Sequence, residues 1–217
     1  LEELLWFIKA STNGKELSDK GVHIWEGNGS REFLDKSGFT SREVGDLGPI
    51  YGFQWRHFGA EYKDFHSNYE GKGFDQIAKL ITDIKTNPDS RTHILSDWNR
   101  PQISEMSFPP CHLIAQFNVK DRELSCVLYQ RVGNMELDVP FNIASYSILT
   151  YIIAHVCGLK PSELVHTIGD MHIYDNHKIR LLEHVRSIPT ASPLLKIKHQ
   201  VNSIEDFVSP LPSTRAI

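Results

Sequence analysis

A long apolar segment occupies residues 142–156 of the chain. Its apolar residues are spread around a helical projection instead of forming one stripe, which is typical of a helix buried on nearly all sides. Gly158 follows at the position of a C-cap. The most apolar part, residues 148–156, contains His155 and is too short to cross a bilayer. We therefore predict a core helix and expect no membrane partner.

Two segments before this helix alternate apolar and polar residues, which is typical of strands. Residues 112–119 and 123–130 alternate in this way around Lys120-Asp121-Arg122, and this pattern predicts a β-hairpin. The remaining predicted elements are strands at 92–98, 164–168 and 194–199, and helices at 1–9, 74–86 and 178–186.

The elements follow one another in a mixed order, without strict alternation of strands and helices. This order predicts an α+β fold, with helices packed around a mixed β-sheet, in a single domain over residues 1–217. The chain opens inside a predicted helix, so we expect further sequence before Leu1.

Charge and cysteine content narrow the function classes. The formal net charge is -4, without the basic surplus of non-specific nucleic-acid binding, so we expect no nucleic-acid partner. The three cysteines, Cys111, Cys126 and Cys157, are odd in number and widely spaced, which argues against a disulfide framework. They favour a reducing compartment, and we expect a cytoplasmic protein, with the nucleus left open as a second location.

The first candidate for chemistry is Cys111, which follows Pro109-Pro110 and precedes a predicted strand. The prolines restrict the backbone and place the thiol at a strand end, where a cleft edge is expected. The functional interpretation is a nucleophilic thiolate. The alternative is a buried structural cysteine, which is the more common role of a lone cysteine.

Arg131 and Asn142 also stand at the ends of predicted elements. Arg131 ends a strand, where its guanidinium suits an anion or a nearby thiolate, although an ordinary surface ion pair is equally compatible. Asn142 opens the long helix, where an asparagine is usually a cap, but its amide also suits the donor and acceptor edge of a pyrimidine.

The segment 169–177 and the glycine-rich segment 45–59 are further candidates. In the first, His172 and Tyr174 share a face and suit sugar hydroxyls; a metal site lacks a third ligand, so we expect no metal. In the second, glycines allow close backbone approach at a site wall. Glu3 lies in an apolar helix, and the residues alone favour a solvated carboxylate over a buried one with a raised pKa.

These segments occur together, in the order and spacing found in thymidylate synthases, and the chain resembles that family from Leu1 to about Phe207. The eukaryotic enzymes look nearest. The segments that carry the resemblance include EELLWFIK, GDLGPIYGFQWRHFG, FPPCH, LYQR, PFNIASY and HTIGDMHIYDNH.

The resemblance implies reductive methylation of dUMP to dTMP, with 5,10-methylenetetrahydrofolate as co-substrate. The implied catalytic residues are Cys111, which adds to C6 of uracil, with Glu3, Tyr51, His112, Arg131 and Asn142. The implied dUMP-binding residues are Arg91, Gln130, Arg131, Asn134, Asn142, His172 and Tyr174. The implied folate-binding residues are Ile24, Trp25, Asn28, Asn134, Leu137 and Phe141.

The resemblance also implies roles for single residues and an oligomeric state. Arg131 is expected to stabilise the thiolate, and Asn142 to hold the uracil edge. Glu3 and His112 are expected to organise water and protons, and Tyr51 to assist removal of the C5 proton. Arg91 corresponds to an arginine that reaches the dUMP phosphate of the partner subunit, so a homodimer is implied.

The chain departs from the family at positions that should bind the substrates. Thr92 replaces a phosphate-binding arginine and Val132 a serine, while Asn134 replaces a pterin-binding aspartate. Glu136 and Asp138 replace glycines, and Asp138 adds negative charge where an anionic folate should lie. In the residues up to Ile217 we also expect no counterpart of the family's tyrosine-bearing C-terminal tail. We expect the loss of the arginine and of the serine hydroxyl to weaken dUMP binding.

Two alternatives to a working synthase therefore stay open from the sequence. One is a catalytically impaired homologue that acts as a binding or interaction protein. The other is a pyrimidine nucleotide hydroxymethylase, which would share the first chemical steps. The cytosine-specific relatives carry aspartate where this chain has Asn142, which speaks against the second alternative.

Overall fold

The computed structural model describes residues 1–191, 193, 195–198 and 201–208. The helices within them are α1 (Glu2–Ile8), α2 (Lys15–Ser18), α3 (Glu26–Gly29), α4 (Arg31–Lys36), α5 (Gly52–His57), α6 (Gln76–Thr86), α7 (Asp138–Cys157) and α8 (Lys178–Arg186). The strands are β1 (Ile94–Ser96), β2 (His112–Lys120), β3 (Glu123–Asn134) and β4 (Lys160–His172), and short 3-10 helices cover Arg100–Glu105, Asp175–His177 and Glu205–Phe207.

One sheet in the order β1-β2-β3-β4 organises these elements. The first three strands pair antiparallel, and β4 pairs parallel to β3, so the predicted α+β fold with a mixed sheet is confirmed. The β2–β3 hairpin turns at Asp121 and Arg122, whose φ angles of 51° and 63° match the twist of the strands. Lys120, predicted in the loop, is paired with Glu123 as the last residue of β2.

The register of β2 against β3 shifts between His112 and Ile114, where a β-bulge adds one residue to β2. His112 pairs with Gln130 and Ile114 with Tyr129, so Leu113 is the additional residue. His112 is therefore buried, whereas Ile114, two residues later, is exposed on the opposite face of the sheet.

The lengths of two strands differ from the prediction. β4 is much longer than residues 164–168, because it pairs with β3 along almost its whole length. β1 is shorter than residues 92–98 and pairs only at Ile94, Leu95 and Ser96. In the predicted strand 194–199, residues 195–198 form no strand, and Leu194 and His199 lie outside the described residues.

Helix α7 packs on one face of the sheet and fills the centre of the core. Its buried residues include Tyr146, Leu149 and Ile153, which meet the inward residues of β3 in one hydrophobic cluster. By length and mean hydropathy α7 would also suit a membrane span, but its inner side lies in this core. Ile143 and Tyr151 are exposed, so the prediction of a helix buried on nearly all sides was wrong.

Helix α1 lies close to α5, and the contact depends on a glycine. The backbone of Gly52 approaches that of Phe7 so closely that an added Cβ would lie 2.3 Å from the Phe7 carbonyl oxygen. Phe7 packs at the same place against the rings of Tyr51 and Trp55. Leu4, Trp6, Phe7 and Ile8 are the buried residues of α1.

Candidate active site

A cavity of about 380 Å³ opens between α1, the segment before α5, the start of β2 and the start of α7. It contains many of the residues that the sequence singled out. Its lining consists of Glu3, Ile24, Trp25, Asn28, Tyr51, Phe108, Cys111, His112, Leu137, Asp138, Phe141 and Asn142.

Cys111 is held at the edge of this cavity through its backbone. Its N–H donates to the hydroxyl of Tyr51 at 2.9 Å, and its carbonyl accepts from the N–H of Arg131 at 2.7 Å. The Arg131 guanidinium donates to the carbonyls of Pro110 and Pro109 at 3.2 and 3.5 Å. The thiol is half-buried, so it is reachable from the cavity but shielded from bulk water.

Burial raises the pKa of the Cys111 thiol above its ordinary value. The positive charge of Arg131 acts against this increase, the negative charge of Asp138 adds to it, and Tyr51 lowers the pKa slightly through a hydrogen bond. Arg131 therefore favours the thiolate in the predicted direction, but its effect is smaller than that of burial. In this arrangement the resting form of Cys111 is the thiol.

Glu3 is also part of the cavity wall. The indole N–H of Trp25 donates to its Oε1 at 2.8 Å, and burial raises the pKa of the carboxyl, against the opposing effects of Trp25 and His112. The solvated carboxylate that the residues alone favoured was therefore wrong. A raised pKa moves the carboxyl toward the range in which it can both accept and release a proton, as general acid–base catalysis requires.

His112 is stacked on Tyr51, with ring centroids 4.2 Å apart, and is fixed from behind by two buried residues that the sequence analysis missed. Its Nδ1 lies 2.7 Å from the hydroxyl of Tyr146 and 3.3 Å from Oδ2 of Asp97. One sequence signal could have identified Asp97. It lies two residues after Leu95 in the predicted strand, so the two share a face, and an acidic side chain on the same face as a buried leucine is unusual.

Asn142 lies in the second turn of α7, because the helix begins at Asp138, before the predicted start. It is therefore not the helix cap. Gln130, which is fully buried, donates to Oδ1 of Asn142 at 3.0 Å and to the Val132 carbonyl at 2.8 Å, while its own oxygen lies 2.9 Å from His166 Nε2. Gln130 does not line the cavity; it holds Asn142, whose Nδ2 is left for the cavity.

The residues assigned by resemblance to folate form the outer wall, with the exception of Asn134. Asn134 is buried, and its Oδ1 accepts from the N–H groups of Glu136 and Leu137 at 3.0 and 3.1 Å. Its side chain thus shapes the loop before α7 and does not line the cavity. Phe141, at 63% exposed, leaves an aromatic surface at the cavity mouth.

Of the residues predicted to bind dUMP, three more lie outside the cavity lining, in addition to Gln130, Arg131 and Asn134. His172 and Tyr174 lie near each other beyond the end of β4, with ring centroids 5.0 Å apart. Arg91 is exposed just before β1. In the part of the chain that the structure describes, no group of three or more His, Cys, Asp or Glu residues is placed to hold a metal ion.

Asp138, one of the departures from the family pattern, lies in the cavity wall at the first turn of α7 and accepts from the Asn134 N–H at 3.2 Å. We expect Asp138→Asn to speed alkylation of Cys111 by iodoacetamide about threefold at pH 8. Removing the negative charge stabilises the thiolate, which is the reactive form, and lowers the pKa of Cys111. Mass spectrometry of the alkylated Cys111 peptide against pH measures the effect.

The control for this prediction is Asp175→Asn, which removes the same charge from a side chain that is 93% exposed and outside the cavity. It should leave the alkylation rate unchanged. Equal acceleration in both variants would mean that net charge, and not Asp138 itself, sets the reactivity of Cys111.

Comparison with known proteins assigns the chain to a family. The family profile described as "Thymidylate synthase" matches residues 1–210. Thymidylate synthase of Homo sapiens is 59% identical over 207 residues, which cover 95% of this chain and 66% of that protein. Thymidylate synthase of Ascaris suum is 56% identical over 209 residues, covering 96% of this chain and 71% of that protein.

A "Putative bifunctional dihydrofolate reductase-thymidylate synthase" of Oryza sativa subsp. japonica is 57% identical over 209 residues, covering 96% of this chain and 42% of that protein. The chain thus spans less than two thirds of the length of the human and rice relatives. With a profile match over nearly every residue and this level of identity, the chain belongs to the thymidylate synthase family.

Proposed function

We propose that the chain catalyses the reductive methylation of dUMP to dTMP, with 5,10-methylenetetrahydrofolate as the source of the one-carbon group and the hydride. One observation carries this proposal: a single cavity joins the nucleophile Cys111, the acid–base groups Glu3 and His112, and the amide of Asn142 to an apolar wall. This combination suits a polar pyrimidine stacked beside a second flat, largely aromatic molecule.

The polar half of the cavity supports each step on the pyrimidine. The Cys111 sulfur attacks C6 and loses its proton, assisted by the charge of Arg131. Negative charge then develops at O4, where the Nδ2 of Asn142 donates a hydrogen bond. Glu3 supplies or accepts the protons that this charge requires, and Tyr51, which lies against Cys111, borders the path of the C5 proton.

The apolar half of the cavity supports the binding of the folate. Ile24, Trp25, Leu137 and Phe141 line this half, and Ile24 and Phe141 are 54% and 63% exposed, so a flat ligand would cover apolar surface there. Asp138 places one negative charge at the same wall. It therefore favours the N–H donors of a pterin ring over the carboxylates of the folate tail as its neighbour.

We further propose that the protein is a homodimer that pairs through the outer face of the sheet. The register places Ile94, Gln116, Val127 and Val165 in one row across this face, and Ser96, Ile114, Tyr129 and Thr167 in the next. Neither row contains a charge, and six of these side chains are apolar or aromatic or carry a methyl group. An uncharged apolar patch of this kind is typical of a subunit interface.

The position of Arg91 supports the same assembly, because it is exposed beside the strand β1 that borders this face and contributes nothing to its own cavity. Val127→Asp would bury a charge in the proposed interface. We expect the parent chain to sediment as a dimer at micromolar concentration and Val127→Asp as a folded monomer. A dimeric Val127→Asp protein would place the interface elsewhere.

Release of tritium from 5-tritiated dUMP tests the proposed reaction, because C5 loses its proton only when the ring has been activated. Release that requires methylenetetrahydrofolate and is accompanied by dihydrofolate would support the synthase. Release accompanied by hydroxymethylated product would indicate the hydroxymethylase. Absence of release from folded dimer at saturating dUMP would leave a binding protein with a synthase fold.

The three cysteines are unpaired, and we propose a reducing, cytoplasmic location for this chemistry.

A further inference from the structure

Behind the cavity, a buried carboxylate lies against the ring of His112. Asp97 follows β1 directly and is 1% exposed, and its backbone N–H donates to the Leu113 carbonyl at 2.8 Å. Its Oδ2 lies 3.3 Å from Nδ1 of His112 and 3.4 Å from the hydroxyl of Tyr146, which is also buried. The three side chains form a closed triangle, because the Tyr146 hydroxyl lies 2.7 Å from the same Nδ1.

The chemistry of these three groups determines where the protons lie. When Asp97 is ionised, its carboxylate only accepts hydrogen bonds, so the Tyr146 hydroxyl donates to it. The tyrosine oxygen then has a lone pair for His112, and Nδ1–H donates to it and to Asp97. A neutral imidazole carries one N–H, so its Nε2 holds a lone pair. Because Nδ1 faces Asp97 and Tyr146, Nε2 is the nitrogen that His112 presents to the cavity.

We propose that Asp97 is a positioning residue that fixes His112 as the Nδ1–H tautomer and thereby makes its Nε2 a hydrogen-bond acceptor in the cavity wall. The catalytic consequence of this arrangement rests on the proposed synthase reaction, whereas the tautomer itself does not. The residues adjacent to Asp97 in the sequence do not indicate this role, because Asp97 and His112 are brought together by the pairing of β1 with β2.

An acceptor at this position complements the other groups of the cavity. Glu3 lines the same cavity as His112, so an acceptor nitrogen gives a partner to the carboxyl when it is protonated, or to a water between the two. The titratable groups that face His112 from the elements packed around it are Glu3, Tyr51, Asp97, Cys111, Tyr146 and His166.

Burial of the Asp97 carboxylate destabilises the fold, so its presence needs an explanation other than stability. Burial raises its pKa, and the contacts with His112, Trp55 and Tyr146 only oppose this effect. A carboxylate removed from water is destabilising when its contacts do not fully replace hydration. An apolar residue would pack at this position without that cost, so the carboxylate is explained by its action on His112.

The variant Asp97→Asn tests the proposal, because an amide of the same shape can donate to Nδ1 and so permits the opposite tautomer. In the parent protein, ¹⁵N chemical shifts should show Nδ1 protonated and Nε2 with a lone pair, the signal being assigned with His112→Gln. We expect Asp97→Asn to move the proton to Nε2 and to lower kcat for tritium release by about 10²-fold, with little change in KM for dUMP.

Asp46→Asn is the matched control, since Asp46 is equally buried but accepts from the Tyr62 hydroxyl at 2.6 Å and the Gly48 N–H at 2.9 Å instead of lying against His112. It should leave the His112 spectrum and kcat unchanged.

If Asp97→Asn fails to fold, Tyr146→Phe offers a second route, because it removes the other Nδ1 partner and leaves the Asp97 carboxyl in place. Tyr146→Phe should then retain the Nδ1–H tautomer.

The outcomes separate this inference from the proposed function. A parent protein whose His112 is protonated at Nε2 alone would overturn the positioning role of Asp97, whatever the activity. An Asp97→Asn variant with an unchanged His112 tautomer would overturn it as well. A parent protein without tritium release but with the expected tautomer would contradict the synthase reaction and leave the role of Asp97 intact.

Discussion

Replacing Cys111 with serine is expected to lower tritium release from dUMP about 10⁴-fold or more. A serine hydroxyl at this position has no adjacent base strong enough to ionise it, and it is a far poorer nucleophile than a thiolate toward C6. Loss of a nucleophile in covalent catalysis commonly has effects of this size. The initial rate at saturating dUMP and methylenetetrahydrofolate, compared with that of the parent protein, measures the effect.

Cys157→Ser is the control for this experiment. Cys157 is also half-buried, but it lies at the end of α7, far along the helix from the cavity, and its Sγ contacts the Ile81 carbonyl. Its replacement should leave the rate close to that of the parent. A parent-like rate in the Cys111→Ser variant would exclude thiolate attack as the route to C5 activation, even if the protein releases tritium.

Gly52→Ala is expected to destabilise the protein by about 3 kcal/mol, the upper part of the range for overpacking a buried contact. The added Cβ would lie 2.3 Å from the Phe7 carbonyl oxygen and 2.7 Å from its Cα, so α1 and α5 must separate. Because α1 carries Glu3 and Tyr51 precedes α5 directly, the separation should also open the cavity. Urea unfolding measures the stability, and kcat measures the damage to the site.

Gly27→Ala provides the comparison, since a Cβ at Gly27 meets nothing within 4 Å and this glycine has no positive φ. That variant should be neutral or slightly stabilised, because alanine has the higher helix propensity. If Gly52→Ala unfolded at the same urea concentration as the parent, the close packing of α1 on α5 would not be important for the stability of the chain.

Much of the fold follows from local sequence patterns. The hairpin, α6 and α8 were predicted close to their observed bounds, because period and turn chemistry act over a few residues. The start of α7 was not, because the apolar segment begins only at Asn142, whereas the helix begins at Asp138. In the structure Pro140 lies in the first turn, where the missing N–H has no helical partner to lose. The length of β4 depended on its pairing with β3, which no local pattern encodes.

The site residues likewise fall into those that local motifs reveal and those that only the fold reveals. Cys111 directly follows two prolines before β2, and the motifs that contain Cys111, His112 and Asn142 carried the family resemblance. Asp97 belongs to no such motif. Its importance depends on a partner that is distant along the chain and adjacent only across the sheet, and a single sequence gives no sign of that pairing.

The β-bulge at Leu113 has a consequence for how this protein can change during evolution. Without it, His112 and Ile114 would face the same side of the sheet, as residues two positions apart normally do. The additional residue allows one short segment to supply an inward imidazole and an outward apolar side chain. Deleting any residue between Cys111 and Ala115 would turn one of the two to the wrong face. The spacing of this segment is therefore constrained as strictly as its chemistry, and we expect substitutions there to be tolerated more often than changes in length.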